Sequence, residues 1–493
     1  VEQRIGMKVF QADGTDIVDS FRAATEATQF VRKKRKPAVA VFSNLPRKFG
    51  HAATDRQNAY LTTPEIENAR NHDPLSKMCA HAVHSGALSL SQLETRFAEL
   101  KDVVERAFDR ASEEPKITSR DEIVKRVSQP IRAVTSSSSN DEDEKPEVMR
   151  KHMTRLMHEV MEQTNDVVYL GEDVRHGGYY LVTDKVFEKY PHRIHDFPPD
   201  ETTLVGAGMG YAQSGLTPIV EIPYAKYLDC GGDMFQEAII SNWLSNGSQP
   251  NGMVFRLQGF GRGIFGGNFH THNSLMTPPG LDVVCFSNGS DWVKGFRNAL
   301  NLARAGRVVM VVDCTNILNL RHLEGNDRAW LTKYPTNPND IMTFDEVVEW
   351  SADGTRKNIN RNTTLSSSSS SLTIVTYGNG VLAGLQASRH LKKHHDIEAR
   401  VVDLPCISGS GDGGVDETLT KIFQDGQPVL FADECKSTQM PLSTVACRVM
   451  NAGGLNQPWR IVGAQPTYNP LGTYLTFLSK EDIVETSLAM LDW

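Results

Sequence analysis

The chain has 493 residues, of which 39% are hydrophobic, so it is long enough for several domains with cores of their own. Its formal net charge of −8 argues against a nucleic-acid-binding protein, because such proteins usually present basic surfaces. The seven cysteines include no Cys-x-x-Cys pair, which is typical of reduced intracellular thiols. No run of about 18 apolar residues occurs, so we expect no membrane span.

The first part of the chain predicts alternating helices and strands. Apolar residues recur at helical spacing over 17–31, and the segment 37–45 predicts a short buried strand. A loop that carries His51 follows this strand. Farther on, Ser91 and Glu94 have the spacing of a capping box and predict the start of a long amphipathic helix.

Two polar stretches interrupt the pattern. The segment 131–147 is rich in serine and acidic residues, a composition that favours a disordered linker. A six-serine tract at 366–371 is low in complexity and needs no function of its own. Both stretches are expected to separate domains.

The central stretch carries the strongest chemical signal. Glu201 follows a Pro-Pro-Asp turn and precedes a small-residue helix at 204–215, and a glycine-rich loop carries His270 and His272. A carboxylate beside such a helix and a histidine on a glycine loop indicate proton chemistry. A capped helix and a turn explain the spacing equally well.

Two other interpretations of the glycine-rich loop are disfavoured. The segment 261–266 fits G-x-G-x-x-G, but the sequence His-Thr-His-Asn follows where a dinucleotide site needs an apolar helix. His270 and His272 could form a metal pair, yet no third ligand stands at a recognisable spacing. We therefore predict no metal ligands in this chain.

The last part of the chain predicts an open α/β sheet. Strand-like segments at 372–380, 398–405, 428–433 and 459–464 alternate with helical segments, a pattern that favours parallel strands.

The stretch 197–284 resembles the pyrimidine-binding half of the thiamine-diphosphate-dependent first component of 2-oxo acid dehydrogenase complexes. The family motif G-L-x-P-I-x-E matches 215–221, and the family glutamate fourteen residues before that glycine matches Glu201. Segments 170–174 and 278–284 match the strand end that opens this domain and its P-G-L-x-V-V strand.

The resemblance implies roles for individual residues. Glu201 would bind the aminopyrimidine nitrogen of thiamine diphosphate and control its proton, and His270 would serve proton transfer or negative charge near the substrate. Tyr224 and Tyr227 would stack near the thiamine pyrimidine, although packing at an interface explains these two aromatic residues equally well. The cofactor-binding residues expected from the family are Glu172, Gly208, Tyr224 and Tyr227.

Residues 1–133 resemble the C-terminal part of the alpha-type, diphosphate-binding half of the same enzymes, truncated at its N-terminus. The matching segments are 12–16, 47–55 and 73–75. His51 is therefore expected to be a catalytic residue, although a loop histidine with a structural role is the alternative. Ala52 replaces the family's serine, and Leu61 stands where the family has an arginine.

The expected fold class is α/β, with parallel-sheet, three-layer domains of the transketolase-like thiamine-diphosphate fold and a transketolase C-terminal domain. The expected parts are an alpha-type domain (1–133), a disordered linker (134–147), a pyrimidine-binding domain (148–345), a low-complexity insertion (346–371) and a transketolase C-terminal domain (372–493).

By this resemblance, the chain decarboxylates a 2-oxo acid and transfers the acyl group to the lipoyl domain of an acyltransferase partner. A branched-chain substrate such as 3-methyl-2-oxobutanoate is preferred over pyruvate. The expected cofactors are thiamine diphosphate and Mg²⁺, whose ligands should lie upstream, because the Gly-Asp-Gly of 409–414 stands in the wrong domain. Cofactor sites between alpha-type and beta-type domains predict a homo- or hetero-oligomer.

Alternatives within the same fold are a transketolase or deoxyxylulose-phosphate-synthase-like carboligase, or an inactive scaffold subunit. The expected location is the mitochondrial matrix for a eukaryotic source and the cytoplasm otherwise.

Overall fold

The computed structural model describes residues 7–52, 54–127, 143–245, 247–262, 277–365, 370–408, 414–470 and 473–491. The contacts divide the chain into two compact units, Val1–Ile117 and Thr118–Trp493. Several predicted features lie outside the described residues: His270 and His272, most of the linker, most of the serine tract, and residues 409–413.

The described residues of the first unit form a two-stranded parallel sheet and four α-helices. Its elements are β1 (Lys8–Asp13), α1 (Ile17–Lys34), β2 (Ala38–Ser43), α2 (Thr63–Asn71), α3 (Pro74–His84) and α4 (Leu90–Glu113). Asp16 caps α1 through hydrogen bonds from the backbone N–H groups of Val18 and Asp19.

Two local expectations for this unit are wrong. Strand β2 is half-buried to exposed rather than buried, since this sheet has only two described strands and α1 packs on it. The capping box lies two residues earlier than expected, with Ser89 at the N-cap of α4 and Gln92 as its reciprocal partner.

The second unit begins with a six-stranded parallel sheet in the order β4-β3-β5-β6-β8-β7. Its strands are β3 (Val167–Gly171), β4 (Ile194–Asp196), β5 (Thr217–Ile222), β6 (Met253–Gly259), β7 (Leu281–Val284) and β8 (Val308–Cys314). Strands β3, β5, β6, β7 and β8 are buried along their whole length, as expected for a parallel sheet covered by helices on both faces.

Helices cover this sheet or precede it in the chain. They are α5 (Arg120–Val127), α6 (Met149–Gln163), α7 (Val186–Lys189), α8 (Glu201–Gln213), α9 (Gly232–Leu244) and α10 (Gly289–Arg304). The predicted parallel α/β architecture is confirmed.

A second six-stranded sheet has the order β10-β9-β12-β11-β13-β14. Its elements are β9 (Val347–Trp350), β10 (Arg356–Ile359), β11 (Leu372–Thr376), α11 (Asn379–His395), β12 (Ala399–Asp403), α12 (Gly414–Ile422), β13 (Val429–Lys436), α13 (Pro441–Asn451), β14 (Trp459–Ala464) and α14 (Lys480–Leu491).

The segment 346–371, expected to be a low-complexity insertion, contributes the antiparallel strands β9 and β10 to this sheet. Strand β9 is only four residues long, with the sequence Val-Val-Glu-Trp, and the nearby serine tract obscured it.

The two sheets of the second unit are joined by backbone contacts. Cys285 N–H donates to Pro405 C=O over 2.8 Å, and Ile407 N–H donates to Val283 C=O over 3.0 Å. The end of β7 therefore lies against the loop that follows β12.

Candidate active site

The candidate site lies at the carboxyl ends of β3 and β5. From β3 the chain passes to β4 on one side, and it then returns to β5 on the other side of β3. Ligands of open α/β sheets bind in the crevice at such a change of direction. Glu172 directly follows β3, and Tyr224 and Tyr227 follow β5.

Glu201 is the first residue of α8 and is only 9% exposed. Asp200 caps the helix by accepting hydrogen bonds from the backbone and the hydroxyl of Thr203, at 3.0 and 2.6 Å. A Cβ at Gly231 would lie 3.0 Å from the carbonyl oxygen of Glu201, so the backbone of Gly231 packs closely on this helix start. The cap and this contact fix the position of a nearly buried carboxylate.

The structure brings Glu172 close to Glu201. Burial raises the pKa of the Glu172 carboxyl, and the negative charges of Glu201 and Asp173 add to this effect, whereas a hydrogen bond with Tyr179 opposes it. The site thus contains two carboxyl groups in one electrostatic environment, an arrangement suited to holding a proton.

Three tyrosines surround these carboxyl groups. The ring centroids of Tyr179 and Tyr224 are 5.6 Å apart, and those of Tyr224 and Tyr227 are 5.5 Å apart in an edge-on arrangement. Tyr227 also lies within electrostatic range of Glu172 and Glu201. The tyrosine cluster therefore supplies aromatic surface beside the two carboxyl groups. Tyr179 was missed in the sequence, where it stands outside any recognised motif.

Gly208, expected to bind the cofactor, instead faces the sheet. A Cβ at this position would lie 2.7 Å from Cγ2 of Val220 in β5, whereas a Cβ at Gly210 would meet no atom of the described residues within 4 Å. Gly208 therefore lets α8 approach the sheet, and its spacing in the small-residue helix did not reveal which way it faces.

A fully buried charged network lies beneath the site. Glu221 accepts hydrogen bonds from Tyr169, from Nη1 of Arg256 at 2.5 Å and from Gln258 at 3.2 Å. Arg256 Nε also lies 2.7 Å from Oδ2 of Asp313. Although burial opposes the charge, Asp313, Tyr169 and Glu221 raise the pKa of Arg256 above its usual value. Glu221 thus has a structural role, whereas the carboxylate of Glu201 makes no such hydrogen bonds among the residues that the structure describes.

In the first unit, the loop of His51 is organised by Asp55. This carboxylate accepts hydrogen bonds from the backbone N–H of His51 and from Arg47, both at 2.6 Å, and from the hydroxyl of Tyr60 at 3.2 Å. A Cβ at Gly50 would lie 2.5 Å from the carbonyl oxygen of Asp55. The R-x-x-G-H spacing therefore reflects a compact loop, on which the His51 side chain is exposed.

The described residues of the site fit the aminopyrimidine part of thiamine diphosphate. Glu201 offers a nearly buried acceptor for a ring nitrogen, and Tyr224 and Tyr227 offer aromatic faces for the pyrimidine. Among the described residues, no group of three or more histidine, cysteine, aspartate or glutamate side chains is placed to hold a metal ion. Within the same residues, no helix is long and apolar enough to cross a membrane.

Comparisons with protein families identify two segments. Residues 3–120 match the family model "Dehydrogenase E1 component", and residues 146–317 match "Transketolase, pyrimidine binding domain". The second match contains Glu172, Glu201 and the tyrosine cluster.

Curated relatives include the 2-oxoisovalerate dehydrogenase subunit beta of Bacillus subtilis (strain 168). It is 28% identical over 287 residues, which cover 57% of this chain and 77% of the relative. The pyruvate dehydrogenase E1 component subunit beta of Chlorokybus atmophyticus is 25% identical over 296 residues, covering 58% and 76% of the two chains.

Similar solved structures are transketolases. A split-gene transketolase, described as an inactive beta4 tetramer, has a TM-score of 0.51 at 16% identity and covers 71% of this chain and 99% of its own. A transketolase mutant from Pichia stipitis has a TM-score of 0.57 at 12% identity, covering 99% and 67%. At sequence identities of 16% and 12%, these two structures show a similarity of fold alone.

Proposed function

We propose that this chain, which belongs to the thiamine-diphosphate-dependent E1 components of 2-oxo acid dehydrogenases, decarboxylates a branched-chain 2-oxo acid and transfers the acyl group to a lipoyl domain. The observation that carries the proposal is the nearly buried Glu201 carboxylate, placed beside Glu172 and the tyrosine cluster at the carboxyl ends of β3 and β5. The preference for a branched-chain acid rests on the 2-oxoisovalerate dehydrogenase subunits among the relatives, with pyruvate second.

When bound, thiamine diphosphate supplies the carbon nucleophile and the electron sink for decarboxylation. The residues of this chain would orient it and control protons. Glu201 would hold a proton at the pyrimidine ring nitrogen, and Glu172, whose pKa is raised, would help retain that proton in the site. Tyr224 and Tyr227 would pack against the pyrimidine and exclude water.

The catalytic roles of His51 and His270 remain predictions. The exposed side chain of His51 is free of an observed ring hydrogen bond among the described residues, which is compatible with a role toward substrate or a lipoyl group. The partner expected for such a role is the lipoyl-bearing acyltransferase.

We further propose that the chain associates with a copy of itself or with an alpha-type relative. The α8 surface at Gly210 is open, and the neighbouring α9 exposes Ile240, Trp243 and Leu244 by 44%, 39% and 63%. Small residues allow close approach of two helices, and exposed apolar side chains favour association. Light scattering that shows only monomers at micromolar concentration would contradict this proposal.

The test of activity compares 3-methyl-2-oxobutanoate with pyruvate in the presence of thiamine diphosphate and Mg²⁺. The rate of decarboxylation is measured through the reduction of an artificial electron acceptor. Acyl transfer is measured by mass spectrometry of a lipoylated domain. We expect both signals, with a higher kcat/KM for the branched-chain acid. Ketol transfer to an aldehyde acceptor without acylation of the lipoyl domain would favour a carboligase. Association with no turnover would favour the scaffold alternative.

A further inference from the structure

A cleft of about 780 Å³ lies between the two sheets of the second unit, and Glu201 is not among the residues that line it. Arg262 after β6 and Asn316 after β8 form part of one wall, and the start of α14 forms another. Helix α11 lines the cleft from Asn379 to His394 at intervals of three or four residues, so one whole helix face borders it. These 15 residue steps correspond to roughly 22 Å along the helix.

One end of the cleft is rich in cations. Arg389, His390, Lys393 and His394 lie there on α11, and Lys480 lies on α14. The ion pairs of Arg389 are long, at 3.5 Å to Glu324 and 3.6 Å to Asp327, and Lys393 forms no ion pair within the described part of the chain. Lys480 pairs with Glu481 at 3.1 Å, so the lining of this end sets the three positive charges of Arg389, Lys393 and Lys480 against the two negative charges of Glu324 and Glu481.

The environment of His390 reflects this excess of cations. Burial lowers the pKa of His390, and His394, Lys480 and His395 lower it further, with only Glu481 opposing them. Basic residues in the last turn of α11 also interact favourably with the helix dipole, which is a second explanation for their presence. Lys392 belongs to that last turn but does not line the cleft. A bound anion would relieve the repulsion among the cations that do line it.

The other end has a different character. Ile317, Leu320, Leu382 and Ala383 provide apolar surface to the cleft. Arg262 lies at the same end as Asn379, because it pairs at 2.8 Å with Glu434, which accepts a hydrogen bond from Asn379. Asn379 also lines the cleft and is only 3% exposed, and its Oδ1 atom has no hydrogen-bond partner in the structure as described, although its Nδ2 donates to the carbonyl oxygen of Phe260 at 2.8 Å. A buried acceptor without a donor is costly, so a ligand that brings an N–H group to this atom gains a hydrogen bond there.

We propose that this cleft binds a nucleoside phosphate, with its phosphates at Arg389 and Lys393 and its base beside the apolar side chains and Asn379. Guanidinium and ammonium groups donate charge-assisted hydrogen bonds to phosphate, and an exocyclic amino group of the base supplies the donor that Asn379 Oδ1 lacks. The proposal is independent of the 2-oxo acid chemistry, since none of these residues belongs to the candidate active site.

The test is calorimetric titration of the full chain with ADP in the presence of excess thiamine diphosphate, which blocks binding of ADP at a cofactor diphosphate site. The double variant Arg389→Gln, Lys393→Gln should weaken ADP binding at least about tenfold, because it removes two charge-assisted contacts. The matched control is Lys392→Gln, which removes a positive charge from the same helix outside the cleft and should leave the affinity unchanged.

Several outcomes would overturn the proposal. These are the absence of ADP binding at millimolar concentration, loss of ADP binding when thiamine diphosphate is added, and equal weakening in Lys392→Gln. Inorganic tripolyphosphate that binds as tightly as ADP would refute the assignment of the apolar end to a nucleoside. If the double variant fails to fold, Lys393→Gln alone changes an exposed side chain and gives the same comparison.

Discussion

Glu172 and Glu201 share one electrostatic environment, although they lie 29 positions apart in the sequence. Burial raises the pKa of Glu172, and the charge of Glu201 raises it further. Glu172→Gln and Glu201→Gln are therefore expected to affect one another rather than act independently.

The first prediction concerns this coupling. Glu201→Gln removes the negative charge, so the pKa of Glu172 should fall toward its ordinary value. Carbon NMR titration of labelled glutamate carboxyl groups measures it. Glu188→Gln, at an exposed position on α7, is the control and should leave Glu172 unchanged. An unaltered Glu172 titration in the Glu201 variant would refute the coupling.

The second prediction concerns the proton role of Glu201. In the holoenzyme, Glu201→Gln should keep the fold and most cofactor affinity, and it should slow proton exchange at the thiazolium carbon by roughly 10²-fold or more, the usual scale for a positioned proton-transfer group. Exchange into deuterated buffer, followed by NMR, is the measurement. Wild-type exchange in this variant, or an equal loss in Glu172→Gln alone, would remove Glu201 from this role.

The third prediction separates two glycines of α8. Gly208→Ala places a methyl group 2.7 Å from Val220 and should destabilise the protein by about 1–3 kcal/mol, as overpacking does. The methyl group of Gly210→Ala would meet no atom within 4 Å in the described part of the chain, so this variant should be neutral or stabilising by up to ~1 kcal/mol. Denaturant unfolding measures both. Equal stability of the two variants would show that Gly208 does not pack on the sheet in this way.

The fourth prediction concerns the buried network. Arg256→Met leaves Glu221 and Asp313 without their cation and should cost about 3–5 kcal/mol of unfolding free energy. Arg304→Met breaks an ion pair with Asp166 in which both side chains are 34% exposed, and it should cost only ~0–1 kcal/mol. If the two substitutions destabilise equally, the network is not the structural element described above.

The fifth prediction is a pH dependence at Asp403. Burial raises its pKa to about 8, with a hydrogen bond from Ser287 opposing and the charge of Asp291 adding. An unfolded aspartate titrates near ~3.9, so this group favours the folded state at low pH and loses that contribution as pH rises through the folded pKa. Asp403→Asn should therefore be more stable relative to wild type at pH 9 than at pH 5.

Thermal unfolding at pH 5 and pH 9 measures this difference. Asp233→Asn, at an exposed position on α9, controls for removal of a charge. If the stability difference between Asp403→Asn and wild type is the same at pH 5 and pH 9, the prediction is contradicted.

The sequence by itself determined where most strands and helices of the second unit lie along the chain, although not β9 and β10, and it singled out Glu201 at the start of a helix. Parallel strands buried on both faces require continuous apolar runs, and these runs are visible in a linear sequence. The turn before Glu201 and the small residues after it are local features, so they too could be recognised along the chain. The family resemblance then assigned the chemistry.

Only the tertiary structure decided which side chains meet. It placed Glu172 beside Glu201, added Tyr179 to the tyrosine cluster and turned Gly208 toward Val220. It also gave β9 and β10 to the second sheet, because a short edge strand is defined by its hydrogen-bonded neighbour rather than by its own composition. Contacts between residues distant in sequence depend on how strands are ordered in a sheet, and no local pattern records that order.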